Sequence, residues 1–409
     1  MLVLSAKLCN FTDFHGNCKA FLNRNGILNV NNMKEKVSTL FSQYIIDGMQ
    51  SDATPFELLS ECMEYPAAES FPAEEFADIV DESIDPPVTS FRYDNQHFAD
   101  YMNEICSFNE ERKFRMLYPD TFTRQRIAYA LIDMIWNKGH YKLGNLNLLA
   151  QWEWNTRPVG NMAAFYRSVQ AASEYIYDLG CRIEEFSVIE SDEESIARFA
   201  AVMREEEHEE EAIKASPYES RHPWIEDDRQ CSDTLIPRND TQVIYIPFDT
   251  AGFKLGGSLF AELKGHNGGA SPHIMDPDYF IDCYEVVREM VEDGIIMAGV
   301  TVGDGGLAGS LSRICKDCGI EISISGISSS YMEEDGMKIL FSEVPGVLIQ
   351  VSDYNMDYID SQLLLQDVAY YILGSPSTDK KGLSVMEGKR ATVAGILASL
   401  ITQASEGED

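Results

Sequence analysis

Apolar residues recur at helical spacing in three stretches of the first half of this chain. Residues 33–49, 121–137 and 161–179 each place apolar side chains three or four positions apart, and each is predicted to form a helix. Gly180 follows the third stretch at the position where glycine commonly ends a helix. Between the second and third helices, residues 146–154 alternate between apolar and polar side chains, which predicts a half-buried strand.

Strand and helix patterns alternate from residue 241 onward. Strands are predicted over 242–248, 295–301, 320–324 and 347–351. An amphipathic helix is predicted over 276–293, and another begins after the glycine turn 303–306 and runs through Cys318. Alternation of this kind is typical of helices packed on a sheet. We therefore expect an α+β fold, built as layered α/β structure.

Changes in composition along the chain predict four regions. Residues 1–87 form a helical N-terminal extension and a linker, and the linker is acidic and ends in two prolines. Residues 88–234 form a first domain that carries a charged insertion from about 190. Residues 235–390 form a second domain, and residues 391–409 form a terminal helix and an acidic tail. A chain of 409 residues is long enough for two or three domains.

The charge of the chain is strongly negative. Asp and Glu number 67 against 32 Lys and Arg, which gives a formal charge of −35. Such a surface repels nucleic acid and anionic lipid, so neither is expected as a partner. The acidic run 205–211 is interpreted as a solvated helix face or loop rather than a metal site.

Cysteine usage and hydropathy indicate a cytoplasmic protein. Nine cysteines show no disulfide framework, and Cys315 and Cys318 form a lone CxxC without the second pair that a zinc site needs. No basic stretch followed by an apolar run predicts a signal peptide, and no window of 18 apolar residues predicts a membrane span.

The first of three candidate motifs is a glycine loop between a strand and a helix. It contains Lys254, Gly256, Gly257 and Ser258. Paired glycines let backbone N–H groups approach a phosphate closely, and the N-terminus of the following helix favours an anion. A tight turn without any ligand has the same sequence, so both interpretations stay open.

The other two motifs each contain a carboxylate. Asp304 precedes Gly305 and Gly306 in a second glycine turn, where it can hold a metal-bound phosphate or cap the next helix. Glu343 lies between apolar segments, where burial requires an ion pair or a bound cation. It can equally face solvent at a strand end. The sequence contains no HExxH, Walker or GxSxG motif and no arguable Cys–His pair, so no catalytic residue is predicted.

The order and spacing of these motifs resemble the second module of phosphoribosylformylglycinamidine synthase, in the aminoimidazole ribonucleotide synthetase superfamily. The loop at 254–262 is similar to the family's LGGS or LGAT loop, and 303–307 to its SDGGL turn. Residues 340–351, LFSEVPGVLIQV, are similar to LFNEELGGVIQV. A weaker similarity, including 124–137 (RQRIAYALIDMIWN) with RLAVGEALTNIAAT, extends the resemblance over about 28–390.

The resemblance implies synthetase-like N-terminal and C-terminal domains and a site for Mg²⁺ and ATP or ADP. Superfamily members pair their N-terminal sheets into a barrel, so a homo-oligomer or an assembly with other synthase subunits is expected. The implied metal candidates are the carboxylates Asp304, Glu343 and Asp133. The implied nucleotide or phosphate contacts are Lys254, Gly256, Gly257, Ser258, Gly305 and Gly306.

Several positions depart from the family pattern. Tyr129 and Asp133 stand where the family helix has a Glu and an Asn, and tyrosine is a poor magnesium ligand. Residues 184–191, EEFSVIES, stand where the family has PVGKDS. No aspartate matches an expected upstream ligand near 87–90. These departures predict weak or absent binding of magnesium nucleotide.

Two functions therefore remain open. The chain is an ATP-dependent amide-to-amidine ligase or a subunit of a split synthase in purine biosynthesis, with Mg²⁺ and ATP or ADP as cofactors. Alternatively, it is a catalytically inactive structural or interaction protein that keeps the synthetase fold around an eroded nucleotide site, as a diverged, stand-alone phage or bacterial relative would, and it needs no cofactor.

Overall fold

A computed structural model describes most of the chain. The described residues are 37–63, 76–88, 91–94, 97–139, 141–204, 229–266, 268–316, 318–377 and, for the backbone, 383–385. The charged run 205–211 and the predicted terminal helix and tail at 391–409 lie outside these ranges.

Eleven α-helices lie within the described ranges. They are α1 (Ser38–Phe41), α2 (Pro55–Glu61), α3 (Phe98–Ser107), α4 (Pro119–Ile135), α5 (Asn161–Asp178), α6 (Leu259–Leu263), α7 (Pro277–Glu292), α8 (Gly306–Ile314), α9 (Ser325–Tyr331), α10 (Gly336–Phe341) and α11 (Met356–Leu365). None of these described helices is both long and apolar enough to cross a membrane.

Thirteen strands in the described ranges form four sheets. They are β1 (Gln43–Ile46), β2 (Met49–Gln50), β3 (Ile79–Glu82), β4 (Leu146–Asn155), β5 (Arg182–Ser191), β6 (Ile196–Met203), β7 (Thr241–Pro247), β8 (Ile296–Val302), β9 (Gly319–Ile322), β10 (Gly346–Ser352), β11 (Tyr371–Gly374), β12 (Pro376–Ser377) and β13 (Leu383–Val385). The strand orders are β2-β1-β3, β5-β4-β6, β11-β7-β10-β8 and β12-β9-β13. Helices and mixed sheets together give the predicted α+β fold.

Strand β4, at the centre of the sheet β5-β4-β6 (the N-terminal sheet), is the strand predicted over 146–154. Trp152 and Trp154 are fully buried on one face of the sheet. Their indole N–H groups donate to Ser168 Oγ at 2.9 Å and to the Asn161 carbonyl at 2.9 Å, both in α5. Strand β5 runs parallel to β4 and β6 runs antiparallel to it. Buried indoles with satisfied N–H groups thus fix α5 on this sheet.

Three of the four strands predicted in the C-terminal half, β7, β8 and β10, share one sheet, whereas the fourth, β9, lies in the sheet β12-β9-β13. Strand β10 lies between β7 and β8 and runs antiparallel to both. Every β10 residue from Gly346 to Val351 is buried, because the sheet is covered on both faces. Helix α7 buries Phe280, Cys283 and Val287 on one face, as its apolar spacing predicts.

The predicted helix over 33–49 is wrong across its described part. Only Ser38–Phe41 is helical, and Gln43–Ile46 is a strand. Tyr44 and Ile46 are buried at a spacing of two, and the Tyr44 hydroxyl donates to the Thr39 carbonyl. The Asp47-Gly48 pair has positive φ at both residues and forms a two-residue hairpin loop between β1 and β2. Such a pair is a strong hairpin signal, and it outweighs the helical spacing.

Two segments in which no strand was expected contain one. Residues 51–90, predicted to hold short helices and a linker, include the short helix α2 and also the strand β3. The expected charged insertion begins with β6, whose Ala197 and Phe199 are buried against the helices. Both strands are short or half exposed, so their apolar alternation is weak in the sequence. Buried hydrophobic side chains form one continuous cluster from Leu40 to Leu373.

Candidate functional site

Residues from the three glycine and carboxylate motifs lie together in the structure. Glu343, only 1% exposed, follows α10 and accepts two backbone hydrogen bonds through the same oxygen. Leu259 N–H donates to it at 2.8 Å and Gly305 N–H at 2.8 Å. One carboxylate therefore joins the glycine loop to the glycine turn, at the start of α6 and just before α8.

A buried arginine occupies the space between the motifs. The side chain of Arg112 is 3% exposed. Its Nε donates to Glu262 at 2.8 Å, its Nη1 to Asp304 at 2.8 Å and to Glu343 at 3.2 Å, and its Nη2 to the Gly257 carbonyl at 3.2 Å. A single guanidinium therefore bonds to all three motifs.

Two further arginines surround this centre. Arg126 of α4 pairs with both oxygens of Asp304, with its Nη1 3.0 Å from Oδ2 and its Nη2 in short contact with Oδ1. Arg115 lies 3.9 Å from Glu262. We call Arg112, Arg115, Arg126, Glu262, Asp304 and Glu343 the arginine–carboxylate network. Its three positive and three negative formal charges cancel.

Burial and charge together set the protonation of this network. Burial lowers the pKa of Arg112, but the carboxylates of Glu343, Asp304 and Glu262 raise it further, so its net pKa is above the ordinary value. Burial raises the pKa of Glu343, and Arg112 and the two backbone N–H groups oppose that rise. Burial also raises the pKa of Tyr129, as do the charges of Glu343 and Asp304. The guanidinium thus stays charged and the phenol stays neutral.

Tyr129 takes part in the network as a neutral donor. Its hydroxyl donates to the Glu343 carbonyl at 3.1 Å, and Arg126 lies over its ring at 5.5 Å. Its position is the one where the family motif has a glutamate. A neutral phenol supplies a hydrogen bond and a ring face there, instead of an anionic ligand.

The motif glycines are surrounded by protein atoms. A Cβ added at Gly256 would lie 2.7 Å from the Gly269 carbonyl, and one at Gly306 would lie 2.5 Å from the Ser342 carbonyl. Gly257 and Gly305 have φ of +79°, which favours glycine. The glycines are therefore needed for tight turns and for close approach of backbone to backbone.

The remaining predicted site residues have local structural roles. Ser258 caps α6, accepting from Ala261 N–H at 3.2 Å. Lys254 N–H donates to Ser342 Oγ at 3.0 Å. Asp133 is exposed and accepts from Thr301 Oγ1 at 2.5 Å.

The network does not fit a magnesium ion. Of the three predicted metal candidates, Asp304 and Glu343 lie together, and both are bound by Arg112. In the part of the chain that the structure describes, no group of three or more His, Cys, Asp or Glu side chains is arranged to hold a metal. Magnesium requires several hard oxygen ligands, and here a guanidinium occupies the position between them.

Two surface clefts lie elsewhere. One, of about 440 Å³, is lined by residues that include Glu61, Arg124 and Tyr175. The other, of about 430 Å³, is lined by residues that include Asp276 and Tyr331. No residue of the arginine–carboxylate network lines either cleft.

The two arginines that organise the network were not predicted. Arg112 lies in a charged stretch after Glu110 and Glu111, which is typical of a solvated surface. Arg126 lies in the helix quoted for the family resemblance, at a position where the family motif has alanine. That exchange of a small apolar residue for a cation, three residues before Tyr129, is the available sequence signal.

Comparison with known proteins supports the family resemblance. The protein-family model described as AIR synthase related protein, C-terminal domain, matches residues 250–356, which include both glycine turns and Glu343. The chain is 23% identical over 292 residues to a probable phosphoribosylformylglycinamidine synthase, chloroplastic/mitochondrial, of Arabidopsis thaliana, covering 68% of this chain and 19% of the relative. It is 22% identical over 263 residues to phosphoribosylformylglycinamidine synthase of Dictyostelium discoideum, covering 61% and 18%.

A solved structure has a similar fold. Thermotoga maritima PurL complexed with FGAR aligns with a TM-score of 0.50 and 13% identity, covering 67% of this chain and 42% of that chain. The resemblance predicted from the motifs is confirmed: the chain is similar in sequence to phosphoribosylformylglycinamidine synthases and similar in fold to this PurL structure. The chain spans about a fifth of the length of the curated relatives that it matches.

Proposed function

We propose that this synthase-related chain is a structural or interaction protein whose nucleotide site has become an internal ion-pair network. The observation that carries the proposal is Arg112, which bonds to Glu262, Asp304 and Glu343 at once. A cation that belongs to the chain stands between the carboxylates that would otherwise attract a metal ion.

Charge and space both support this function. Magnesium could reach Asp304 and Glu343 only if the Arg112 guanidinium moved away. The guanidinium would then lose the carboxylates that offset the cost of its burial. The glycine turns pack against backbone at distances that leave no room for a side-chain carbon. Tyr129 keeps a neutral donor where the family has a carboxylate.

The competing function is an ATP-dependent amide-to-amidine ligase, or a subunit of a split synthase in purine biosynthesis. The names of the relatives favour it, because both names contain phosphoribosylformylglycinamidine synthase. Mg²⁺ with ATP or ADP would then bind beside Asp304 and Glu343. Under either function, we propose that the chain assembles with a second copy or with other synthase subunits.

Calorimetric titration of Mg²⁺ and ATP into the purified chain distinguishes the two functions. We expect no binding heat at physiological ATP concentration, and the same result for Asp304→Asn, with circular dichroism confirming that the variant is folded. Omission of magnesium is the matched control. Tight magnesium-dependent binding that Asp304→Asn abolishes would overturn the proposal and favour the ligase.

A further inference from the structure

The cleft of about 440 Å³ lies where two helices end and a third begins. Its lining includes Glu61, the last residue of α2, Asp178, the last residue of α5, and Pro277, the first residue of α7. Because α5 supplies half of the lining residues, we call it the α5 cleft. Small-ligand sites in proteins commonly measure about 300–1,000 Å³, so the α5 cleft is large enough for a small organic molecule.

Two buried polar groups of the α5 cleft have no hydrogen-bond partner among the described residues. They are the hydroxyl of Tyr175, a residue that is 2% exposed, and the Nε of Arg124. Burial raises the pKa of Tyr175, and the nearby charge of Arg124 only partly opposes the rise, so the phenol keeps its proton. Both groups can therefore donate, and an unpaired buried donor costs free energy. One acceptor, such as a ligand carboxylate, would satisfy both.

Other polar groups around these two donors are already bonded within the chain. Nη1 of Arg124 donates to the Ile274 carbonyl at 3.0 Å, and Nη2 donates to Glu174 at 3.1 Å. The Ser173 hydroxyl donates to the Leu58 carbonyl at 3.2 Å. Arg124 and Glu174 thus form a neutral pair, and the unpaired Nε is the part of this guanidinium that is left for a ligand.

Two further carboxylates give the α5 cleft a negative edge. Glu61 and Asp178 are exposed, and neither carboxylate has an ion pair or a hydrogen bond within the described ranges. Each ends a helix, and neither helix has a basic residue in its last turn. The C-terminal end of a helix carries a partial negative charge, which favours a cation there. This edge therefore favours a positively charged ligand group.

Two exposed apolar side chains complete the lining. Tyr177 is 68% exposed and Met275 is 52% exposed. An aromatic ring and a thioether both pack well against an apolar group. Apolar walls with a few polar groups are typical of small-molecule sites.

We propose that the α5 cleft binds a free amino acid with an apolar side chain. Its carboxylate accepts from the Tyr175 hydroxyl and from Arg124 Nε. Its ammonium group pairs with Glu61 or Asp178, and its side chain packs against Tyr177. A simple anion would meet the two free carboxylates, and a simple cation would leave both buried donors unpaired, so the lining fits a zwitterion. This inference is independent of the nucleotide site, because no residue of the arginine–carboxylate network lines the cleft.

Calorimetric titration of L-phenylalanine into the full-length chain tests the proposal. We expect saturable binding at one site. Phenethylamine lacks the carboxylate and 3-phenylpropanoate lacks the ammonium group, so each should bind at least about tenfold more weakly. Tyr175→Phe and Asp178→Asn should each weaken L-phenylalanine binding about tenfold. Asp282→Asn is the matched control, because it removes an exposed carboxylate from the other cleft, and it should leave the affinity unchanged.

Urea unfolding separates lost binding from lost folding. Without ligand, Tyr175→Phe should unfold at the same or a higher urea concentration than the wild-type chain, because the removed hydroxyl has no partner. Saturating L-phenylalanine should raise the unfolding midpoint of the wild-type chain and of Asp282→Asn, because a ligand that binds only the folded state stabilises it. It should raise the midpoint of Asp178→Asn much less.

Several outcomes would overturn the proposal. One is that none of L-phenylalanine, L-leucine and L-methionine binds saturably at millimolar concentration. Another is that phenethylamine binds as tightly as L-phenylalanine, because the cleft would then be a site for cations alone. Unchanged affinity in folded Tyr175→Phe would also contradict it. A large loss of stability in Tyr175→Phe would show that the hydroxyl has a partner within the chain, which removes the basis for a ligand carboxylate.

Discussion

At the residue scale, the buried guanidinium of Arg112 explains how three carboxylates can lie together inside an acidic protein. Removing a charge from water costs free energy, and the cost is offset only when hydrogen bonds satisfy the ion well. All three nitrogens of the Arg112 guanidinium donate, to Glu262, Asp304, Glu343 and the Gly257 carbonyl. The three carboxylates in turn need the Arg112 cation to offset the cost of their own burial.

Replacing Arg112 should therefore be costly. We expect Arg112→Met to lower the free energy of unfolding by about 3–5 kcal/mol, because it leaves buried carboxylates without their cation. Urea unfolding of the purified protein measures this change. If Arg112→Met folds poorly, the double variant with Glu343→Gln should recover part of the loss, since removing both partners costs less than removing one.

The matched control is an exposed ion pair. Arg157 lies 2.8 Å from Asp192, and both side chains are mostly exposed. Arg157→Met should change the unfolding free energy little, because solvent screens exposed pairs. An Arg112→Met variant as stable as Arg157→Met would show that the network is not a structural centre.

Two glycines with similar backbone angles separate conformational strain from close packing. Gly306 has φ of +64° and its added Cβ would lie 2.5 Å from the Ser342 carbonyl, whereas Gly294 has φ of +69° with open space. Gly294→Ala should cost about 1–2 kcal/mol from the left-handed backbone alone. Gly306→Ala should cost clearly more in thermal or urea unfolding. Equal costs would mean that the turn can relax, and that the backbone approach does not require glycine.

A buried thiol makes stability fall at alkaline pH. Burial raises the pKa of Cys231 from 9.0 to about 11. Between these values the folded thiol keeps its proton while the unfolded thiol loses it. Unfolding then releases a proton, and the free energy of unfolding falls as pH rises from 9 to 11, by at most about 1.4 kcal/mol per pH unit. Urea unfolding across this range should show a shallower slope for Cys231→Ala. Cys106→Ala, at an exposed thiol, is the control, and an unchanged slope for both variants would contradict the expectation.

At the element scale, a strand end provides the cap for the long helix α5. The helix begins after Gly160 and has no capping side chain of its own. Glu82, the last residue of β3, accepts from Gly160 N–H at 3.0 Å, Met162 N–H at 3.1 Å and Ala163 N–H at 3.2 Å. A carboxylate at this position satisfies free amides and complements the helix dipole. These hydrogen bonds join the sheet β2-β1-β3 to helix α5.

Loss of this cap should destabilise the fold measurably. We expect Glu82→Ala to cost about 1–2 kcal/mol, because several helix N–H groups lose an anionic acceptor. Asp81→Ala, at the exposed neighbouring carboxylate, is the matched control and should have little effect. Chemical denaturation gives both values. A variant pair with equal stability would show that water replaces the Glu82 carboxylate without penalty.

At the scale of the whole molecule, the N-terminal sheet predicts self-association. Strands β5 and β6 are the outer strands of this three-stranded sheet, and Ile189 of β5 is 48% exposed. Apolar residues on an open sheet favour association. We expect sedimentation velocity at micromolar concentration to show a dimer that Ile189→Asp weakens. Val159→Asp, at an exposed loop residue, is the control. A wild-type monomer would contradict this pairing.

The elements with a strong apolar pattern can be predicted from the amino-acid sequence. Helices α4, α5 and α7 and strands β4, β7, β8 and β10 lie within two residues of their predicted bounds. In each of them apolar residues either recur with the period of the element or fill a strand-length run, so the local pattern and the observed burial agree. The family resemblance is also visible in the sequence, because it depends on short motifs and on their order along the chain.

Tertiary structure alone decided what the motifs do. Arg112 is about 150 residues from Glu262 and more than 190 from Asp304, and a charged stretch carries no sign of burial until the chain folds around it. Long-range packing also decides β1. Its residues have helical spacing, but they form a strand because they pair with β3 and enter the hairpin turn to β2. Local pattern predicts which face of an element is apolar. The partner of a charge depends on long-range packing, which places Arg112 between the carboxylates of Asp304 and Glu343.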